Sequence, residues 1–395
     1  MDQANVSESM ELSESMIIEG FAVNDYVLIV LYIPVFIAAL IANVTVIAIV
    51  LKNRYMRRIN NYFLVNLSVA DLLVTLVCMP NAVWRAHTSI YDFGRYTCKI
   101  SAYIECVSVG SSIFTITTMA MYRYLAITRP LYHGIYTYRS LNRCSTTLII
   151  TCLWFMSLVA FSPILWVYDV NVVNRNLTEN VTINMCGEDW TKGPIPQRSM
   201  GILWFIFVFA IPGIIIIGAY SKMGQTLCSD TPLFDDECTY SYQRIKLLRS
   251  RKKVACILLL LAVVFAICWL PKHITNLIDD TVDSEPSEEN FDQNLRQSRE
   301  EVQLALDYKL KQIKIKRYLL LLGHLNSALN PIIYCMLSKK FRNYISKMFC
   351  GTPVQKEVTK ATLIKLNTFR RQPNNLKTST QTNDASNGVK TLSPP

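Results

Sequence analysis

Residues 107–131 read VSVGSSIFTITTMAMYRYLAITRPL, in which an apolar and uncharged run, 107–121, leads into an arginine between two tyrosines. A helix needs about 20 mostly apolar residues to cross a lipid bilayer. A cation next to hydrocarbon is costly, so a charge at the end of such a run tends to be functional. The stretch therefore predicts a membrane-spanning helix with a functional residue, Arg123, near one end.

Six other segments have the same apolar character, and together the seven meet or approach the length of a spanning helix. Their predicted bounds are 26–51, 62–84, 100–124, 146–168, 201–227, 254–279 and 315–337. No alternating pattern typical of barrel strands appears, so these segments are helices. The predicted fold class is an all-α membrane protein, in which a bundle of seven transmembrane helices forms one domain over residues 26–337.

The net charge of +11 suggests nucleic-acid binding until its distribution is considered. No Lys or Arg precedes Lys52, and the basic residues gather in the segments that follow the first, third, fifth and seventh helices. Basic residues mark the cytoplasmic side of a membrane. The sequence therefore predicts a multi-pass plasma-membrane protein with an extracellular segment 1–25, a cytoplasmic carboxyl terminus, lipid contacts and no nucleic-acid partner.

On the extracellular side this topology places only two of the 12 cysteines, Cys98 and Cys186. Oxidising conditions there favour a disulfide, which would pin the loop after the fourth helix over the bundle. Three glycosylation sequons open on the same side, at Asn5, Asn176 and Asn180. Their agreement with the charge rule supports the topology.

Residues 280–314 form a predicted long extracellular loop that begins acidic and turns basic. A polar segment of this kind is typical of disorder, although residues 293–310 could form a short surface helix. Its charge could also attract a charged ligand.

After the seventh helix, residues 338–350 place aromatic and aliphatic side chains on one face and Lys and Arg on the other. This pattern predicts an amphipathic eighth helix at the inner interface, with Cys350 as a palmitoylation site. Residues 351–395 are polar and rich in Ser and Thr, which predicts a disordered cytoplasmic tail. Phosphorylation by a receptor kinase would make this tail a docking segment for arrestin. An unmodified solubilising tail is the alternative.

Several polar residues lie deep within the predicted helices. Asp71, Asn43, Ser112, Asn326, Ser327 and Asn330 could meet in the middle of the bundle as a small hydrated cluster. Such a cluster can hold a hard cation on oxygen ligands, but a protonated and hydrogen-bonded Asp71 explains it equally. Pro271 and Pro331 each kink a helix, which provides a pivot for rigid-body movement.

Six motifs occur in order, one per helix from the second onward. They are NLSVADLL (66–73), MYRYLAI (121–127), a tryptophan in the fourth helix, AIPGIIIIGAY (210–220), FAICWLP (265–271) and NPIIY (330–334). With them the chain resembles a rhodopsin-like (class A) G-protein-coupled receptor from about Val27 to Cys350. The run YDFGRYTCK (91–99) is most similar to the neuropeptide branch near the orexin and allatotropin receptors.

The resemblance implies a receptor for an extracellular neuropeptide that activates a heterotrimeric G protein. It assigns coupling and activation to an Arg-Tyr motif, to two tyrosines that line up with it, to a tryptophan beneath the ligand, and to the NP motif and a proline kink. These residues are Arg123, Tyr124, Tyr220, Trp269, Pro271, Asn330, Pro331 and Tyr334. It also matches Cys98 and Cys186 to the family's disulfide. The resemblance favours an allosteric sodium ion at Asp71, Ser112, Asn326 and Asn330, with no other cofactor.

The sequence departs from the family at the position before Arg123, where Tyr122 replaces the usual acid. The start of the sixth helix, RSRKKVAC (249–256), also lacks the second acid that some receptors hold there. Opposite charges restrain each other when they are close. We therefore expect raised ligand-independent signalling, as in a constitutively active orphan receptor.

Polar and aromatic residues converge on the outer halves of the helices, where a concave pocket is the default binding site. The candidate ligand-binding residues are Asn81, Trp84, Glu105, Trp204, Lys272, His273, Asn276 and His324. Glu105 occupies the place where amine receptors of this family hold an aspartate. Two interpretations stay open: Glu105 pairs with a cation of the ligand, or it forms an internal salt bridge with Lys272.

Other classes of protein fit less well. A biogenic-amine receptor is an alternative because of Glu105. A transporter or channel would show repeats, broken helices or a ring of charges, and none is evident. A retinal receptor would need a lysine where this chain has His324. No metal-ligand spacing, phosphate loop or nucleophile elbow indicates an enzyme.

Overall fold

A computed structural model describes residues 25–57, 59–88, 91–128, 143–174, 182–190, 196–229, 238–282 and 299–350. The predicted glycosylation sites Asn5, Asn176 and Asn180, the acidic part of the 280–314 loop and the tail 351–395 lie outside these residues. By its contacts the chain divides after Ile345. The description below concerns the first of the two units.

The helices follow one another in the predicted order. They are α1 (Tyr26–Lys52), α2 (Ile59–Leu73, continued by Val74–Cys78 and Met79–His87), α3 (Gly94–Thr128), α4 (Arg143–Phe161), α5 (Gln197–Phe205, continued by Ile206–Ala210 and Ile211–Ser229), α6 (Cys238–Val282), α7 (Arg299–Leu337) and α8 (Lys339–Cys350). Two strands, β1 (Tyr168–Asn174) and β2 (Thr182–Glu188), form a hairpin between α4 and α5. A bundle of seven long helices confirms the predicted fold class.

Local signals explain where several helices begin. The Asp25 carboxylate caps α1 by accepting a hydrogen bond from the Leu28 amide at 3.1 Å. Gly94 opens α3 with φ of +78°, in the left-handed region that residues with a Cβ rarely adopt. The middle parts of α2 and α5 are wide π-type turns, so both helices bulge without breaking.

Six of the described helices are long and apolar enough to cross a membrane: α1, α2, α3, α4 with the turn that follows it, α5 and α6. Helix α7 is long enough, but His324, Asn326 and Asn330 interrupt its apolar part. Exposed side chains on the membrane-crossing helices are strongly apolar; Ile214 is 71% exposed and Ile217 is 68% exposed. Such an apolar surface suits the hydrocarbon of a bilayer, while His324, Asn326 and Asn330 of α7 are buried inside the bundle.

Three predicted boundaries are wrong. Helix α4 ends at Phe161 instead of Tyr168, because Pro163 disfavours helical backbone at the residue before it. Helix α6 begins at Cys238, not at residue 254. Helix α7 begins at Arg299, so residues 299–314 belong to a helix and not to the predicted loop. The surface helix considered for residues 293–310 is therefore present in part, but it begins at Arg299 and continues without a break into the membrane-spanning part of α7, because its Glu, Leu, Ala and Lys residues are good helix formers.

At one end of the bundle a disulfide between Cys98 and Cys186 ties β2 to the start of α3, with the Cα atoms 5.7 Å apart. This confirms the predicted bridge. The other strand is held at Asp169, whose carboxylate lies 2.6 Å from the Arg95 guanidinium. Burial raises the pKa of Asp169, but the hydrogen bonds from Arg95 and the Val170 amide outweigh it and bring the pKa below its ordinary value. We call this part of the molecule the disulfide end.

Helices α3 and α4 approach closely at Gly110. A Cβ placed there would lie 2.5 Å from Cε2 of Phe161, a buried core side chain. We expect Gly110→Ala to lower the free energy of unfolding by about 1–3 kcal/mol, because the ring has to leave its packed position. Thermal unfolding of the detergent-solubilised protein measures this. Gly218→Ala is the control, since its Cβ would have nothing within 4 Å. Equal stability of the two variants would contradict the close approach.

Candidate ligand site and coupling site

Four side chains from three helices form a closed ring inside the bundle. Lys272 Nζ on α6 contacts Glu105 Oε1 on α3 as an ion pair. The other carboxylate oxygen, Glu105 Oε2, lies 3.9 Å from His324 Nε2 on α7. The Trp269 indole closes this circle of four residues, because its centroid lies 5.4 Å from Lys272 Nζ and 6.2 Å from the imidazole centroid of His324. We call these four residues the polar ring.

The polar ring is buried, which explains why its charges are paired. Glu105 is 8% exposed, His324 is 0% exposed and Trp269 is 2% exposed. A carboxylate removed from water is stable only when an opposite charge or hydrogen-bond donors compensate it. Tyr32 on α1 extends the network, since its hydroxyl lies 3.2 Å from His324 Nδ1. Of the two interpretations of Glu105, the internal salt bridge is the one present in the structure.

The tryptophan of the polar ring is held tightly between α6 and α7. A Cβ at Gly323 would lie 2.9 Å from the Trp269 ring, so the absence of a side chain at this position lets the indole pack on α7. The ring centroid of His273 lies 6.4 Å from that of Trp269 and 5.0 Å from that of Phe209 on α5. Phe209 in turn contacts Phe265 at 6.0 Å between ring centroids. An aromatic layer therefore connects α5, α6 and α7.

The other predicted ligand residues make their contacts with other parts of the bundle. Asn81 donates to Ser101 Oγ at 2.7 Å, which joins α2 to α3. The Trp84 ring packs on Phe93, with 4.7 Å between centroids. Trp204 donates to the Ala160 carbonyl at 3.3 Å. Asn276 is partly buried on α6. The structure thus brings Glu105, Lys272, His273 and His324 together around Trp269.

Sequence reasoning missed Glu188, a second carboxylate at the disulfide end. One of its oxygens accepts from the Tyr168 hydroxyl at 3.0 Å and the other from Trp190 Nε1 at 2.9 Å. It is exposed, and among the described residues no Lys or Arg forms an ion pair with it. The Trp190 ring lies 6.3 Å from that of Trp204, so the carboxylate belongs to an aromatic patch. In the sequence, its position two residues after Cys186 could have indicated that it lies beside the disulfide.

The predicted ion site in mid-bundle is rich in oxygen atoms. Asn330 Nδ2 lies 3.1 Å and 3.4 Å from the two carboxylate oxygens of Asp71. Ser112 is 4% exposed and Asn326 is 2% exposed. The buried Oδ1 atoms of Asn326 and Asn330 and the Oγ atoms of Ser68 and Ser111 have no hydrogen-bond partner among the described residues. Carboxylate, amide and hydroxyl oxygens are the ligands that a hard cation prefers.

At the opposite end, Arg123 lies near the end of α3, with its guanidinium carbon 6.0 Å from the centroid of the Tyr122 ring. We call this part the Arg123 end. Tyr220 on α5 and Tyr334 on α7 bury their hydroxyl groups without a hydrogen-bond partner in the described part of the chain. Tyr124 is partly buried, and Pro331 lies inside α7 three residues before Tyr334. A buried hydroxyl without a partner is costly. A rearrangement that supplies hydrogen-bond partners to the hydroxyl groups of Tyr220 and Tyr334 would therefore be favourable.

Comparison with known proteins places this geometry in a family. The sequence profile of the 7 transmembrane receptor (rhodopsin family) matches residues 42–334. Similar curated proteins include the QRFP-like peptide receptor of Branchiostoma floridae, 27% identical over 325 residues that cover 82% of this chain and 78% of that protein. The Tachykinin-like peptides receptor 99D of Drosophila melanogaster is 29% identical over 311 residues, which are 78% of this chain and 54% of the relative. Neuropeptide FF receptor 2 of Mus musculus is 26% identical over 330 residues, or 80% of this chain and 71% of that protein.

The matched region begins within α1 and ends within α7, so it contains the polar ring, the mid-bundle oxygen cluster and both buried tyrosines. These comparisons confirm the resemblance inferred from the six motifs, and with it the prediction of a multi-pass membrane receptor that is not an enzyme. The chain belongs to the rhodopsin family of seven-transmembrane receptors, and it is a G-protein-coupled receptor.

Proposed function

We propose that this receptor binds an extracellular peptide at the disulfide end and activates a heterotrimeric G protein at the Arg123 end. The disulfide end is then extracellular and the Arg123 end cytoplasmic, in agreement with the charge distribution. The observation that carries the proposal is the hairpin β1–β2, which the disulfide holds at this end with the Glu188 carboxylate exposed. The names of the similar proteins, which are peptide receptors, support the same ligand class.

The charges favour a peptide over a small amine. The carboxylate that would bind an amine, Glu105, is already neutralised by Lys272. Glu188 instead accepts hydrogen bonds from two neutral donors, so its charge remains available to a ligand cation. A peptide can place an Arg, a Lys or its amino terminus there while its apolar side chains lie against Trp190 and Trp204.

A screen tests this proposal. The receptor is expressed with a promiscuous G protein and a calcium reporter, and it is exposed to a neuropeptide library beside biogenic amines. We expect a response to a peptide. Glu188→Gln should then lower the potency of that peptide about tenfold or more, because a hydrogen bond to a charged group contributes about 1.5–3 kcal/mol.

The control variant is Asp92→Asn, which removes another exposed acid at the same end of the bundle. It is expected to leave the potency of the peptide within about fivefold of the native value, because an exposed charge pair is worth about 0–1 kcal/mol. A response to amines alone, or an equal loss of potency in both variants, would contradict the assignment of Glu188 to the ligand.

Activation follows from a shift between two states of the bundle. A ligand shifts this equilibrium only by its differential affinity for the two states. Pro271 inside α6 provides a pivot beside Trp269, and an outward swing of α6 would open a pocket for the G protein beside Arg123. The buried hydroxyl groups of Tyr220 and Tyr334 favour such a rearrangement, because they have no hydrogen-bond partner among the residues that the structure describes.

Further assignments complete the proposal. Asp71 with Ser112, Asn326 and Asn330 would hold a sodium ion, which supplies a positive charge that steadies this packing of α2, α3 and α7. Asn5, Asn176 and Asn180 would carry glycans and Cys350 a palmitoyl group. The Ser- and Thr-rich tail 351–395 would take phosphates from a receptor kinase and dock arrestin.

A further inference from the structure

Lys272 on α6 supplies the cation that neutralises the buried Glu105. Its ammonium contacts the Glu105 carboxylate inside the bundle, and its side chain is only 20% exposed. The partner that Glu105 finds is therefore a primary alkylammonium group supplied by the chain itself. A lysine on α6 that reaches across to α3 also joins the two helices directly.

The polar ring connects this ion pair to the pivot of α6. Lys272 directly follows Pro271 in the chain, and its ammonium lies 5.4 Å from the Trp269 ring centroid. Trp269 packs against Gly323 of α7, where a Cβ would lie 2.9 Å from the indole. A movement of α6 away from α3 at the level of Lys272 would separate Lys272 from Glu105 and shift the tryptophan on α7.

We propose that Lys272 is a built-in occupant of a cation site at Glu105, which excludes small amines from that site and restrains α6 in the inactive arrangement. The site accepts a primary ammonium group: Glu105 Oε1 binds it, while Glu105 Oε2 faces His324 at 3.9 Å and the Trp269 ring supplies an aromatic face. The restraint rests on the proposed G-protein coupling, whereas the cation site does not depend on it.

Chemical rescue tests the cation site without knowledge of the natural ligand. Lys272→Ala removes the side-chain atoms beyond Cβ, which correspond to n-propylamine. We expect this variant to show a lower unfolding temperature in detergent, because Glu105 loses its partner. Millimolar n-propylamine, protonated at neutral pH, should restore the unfolding temperature, whereas n-propanol of similar size should not.

Matched variants separate this effect from general stabilisation. Lys272→Met fills the space without a charge, so it should be destabilised but insensitive to n-propylamine. The double variant Glu105→Gln/Lys272→Ala should also be insensitive, since the carboxylate is gone. Lys316→Ala breaks a different ion pair, between Lys316 on α7 and Asp279 on α6, and should show no response to the amine because this more exposed carboxylate stays hydrated.

Basal signalling tests the restraint. Lys272→Ala and Lys272→Met should both raise ligand-independent G-protein signalling severalfold at matched surface levels, and n-propylamine should lower it in the alanine variant only. If Lys272→Ala does not reach the surface, n-propylamine in the culture medium should restore its surface level while leaving Lys272→Met unchanged.

The two parts of the inference fail separately. Equal effects of n-propylamine and n-propanol, or no effect of either, would overturn the cation site. An unchanged basal signal in the two Lys272 variants would overturn the restraint. If the native receptor activates no G protein while n-propylamine still restores the stability of Lys272→Ala, the proposed function fails and the cation site stands.

Discussion

Glu105→Gln, with Lys272 left in place, is expected to lower the free energy of unfolding by about 3–5 kcal/mol, because it leaves a buried ammonium without its counter-charge. The partner group cannot reach water easily, since the Lys272 side chain is 20% exposed. Thermal unfolding in detergent and the amount of receptor at the cell surface measure the effect. Both should fall clearly below the native values.

Two controls accompany this variant. Exchanging the charges in Glu105→Lys/Lys272→Glu should recover much of the loss, because the pair is kept with its sign reversed. Asp279→Asn breaks the more exposed ion pair with Lys316 and should lower the free energy of unfolding by only about 0–1 kcal/mol. A charge-exchanged receptor that is no more stable than the single variant would contradict an internal pair between these two residues.

The second large effect concerns the disulfide. Cys98→Ser, Cys186→Ser and the double variant should each lower the free energy of unfolding by about 2–5 kcal/mol, since the bridge restricts the unfolded chain between cysteines 88 residues apart. They should also abolish the peptide response, because the hairpin that carries Glu188 loses its attachment to α3. Surface staining, thermal unfolding and the calcium response measure these losses.

Cys152→Ser is the matched control, because Cys152 is a free and exposed cysteine on α4. It should leave stability and response unchanged. If Cys98→Ser and Cys186→Ser behave like Cys152→Ser, the hairpin is held by its other contacts, such as the Arg95–Asp169 pair, and the disulfide is dispensable for the ligand site.

The sequence alone was sufficient for the architecture. The length and apolar character of a segment decide whether it can cross a bilayer, and both are local properties of the chain. The segment 26–51 predicted α1 (Tyr26–Lys52) almost to the residue for this reason. The bridge between Cys98 and Cys186 was also within reach, because topology left only these two cysteines on one side. The bounds of α4, α6 and α7 could not be predicted from the apolar spans, because Pro163 and stretches of helix-forming residues beyond those spans determine them.

Which side chains meet in the candidate ligand site depended on tertiary structure. The sequence shows that Glu105 and Lys272 both exist, but at a separation of 167 positions in the chain it does not reveal whether their side chains meet. That depends on how far α3 and α6 are rotated about their own axes and on their relative height. The contact of Gly110 with Phe161 and the hydrogen bonds of Glu188 with Tyr168 and Trp190 depend on packing in the same way. The sequence by itself thus determined seven helices, because hydropathy acts segment by segment, and its six motifs indicated the receptor family. Only the tertiary structure decided that Lys272 neutralises Glu105 while Glu188 stays exposed, because burial and pairing depend on distances between segments that are far apart in the chain.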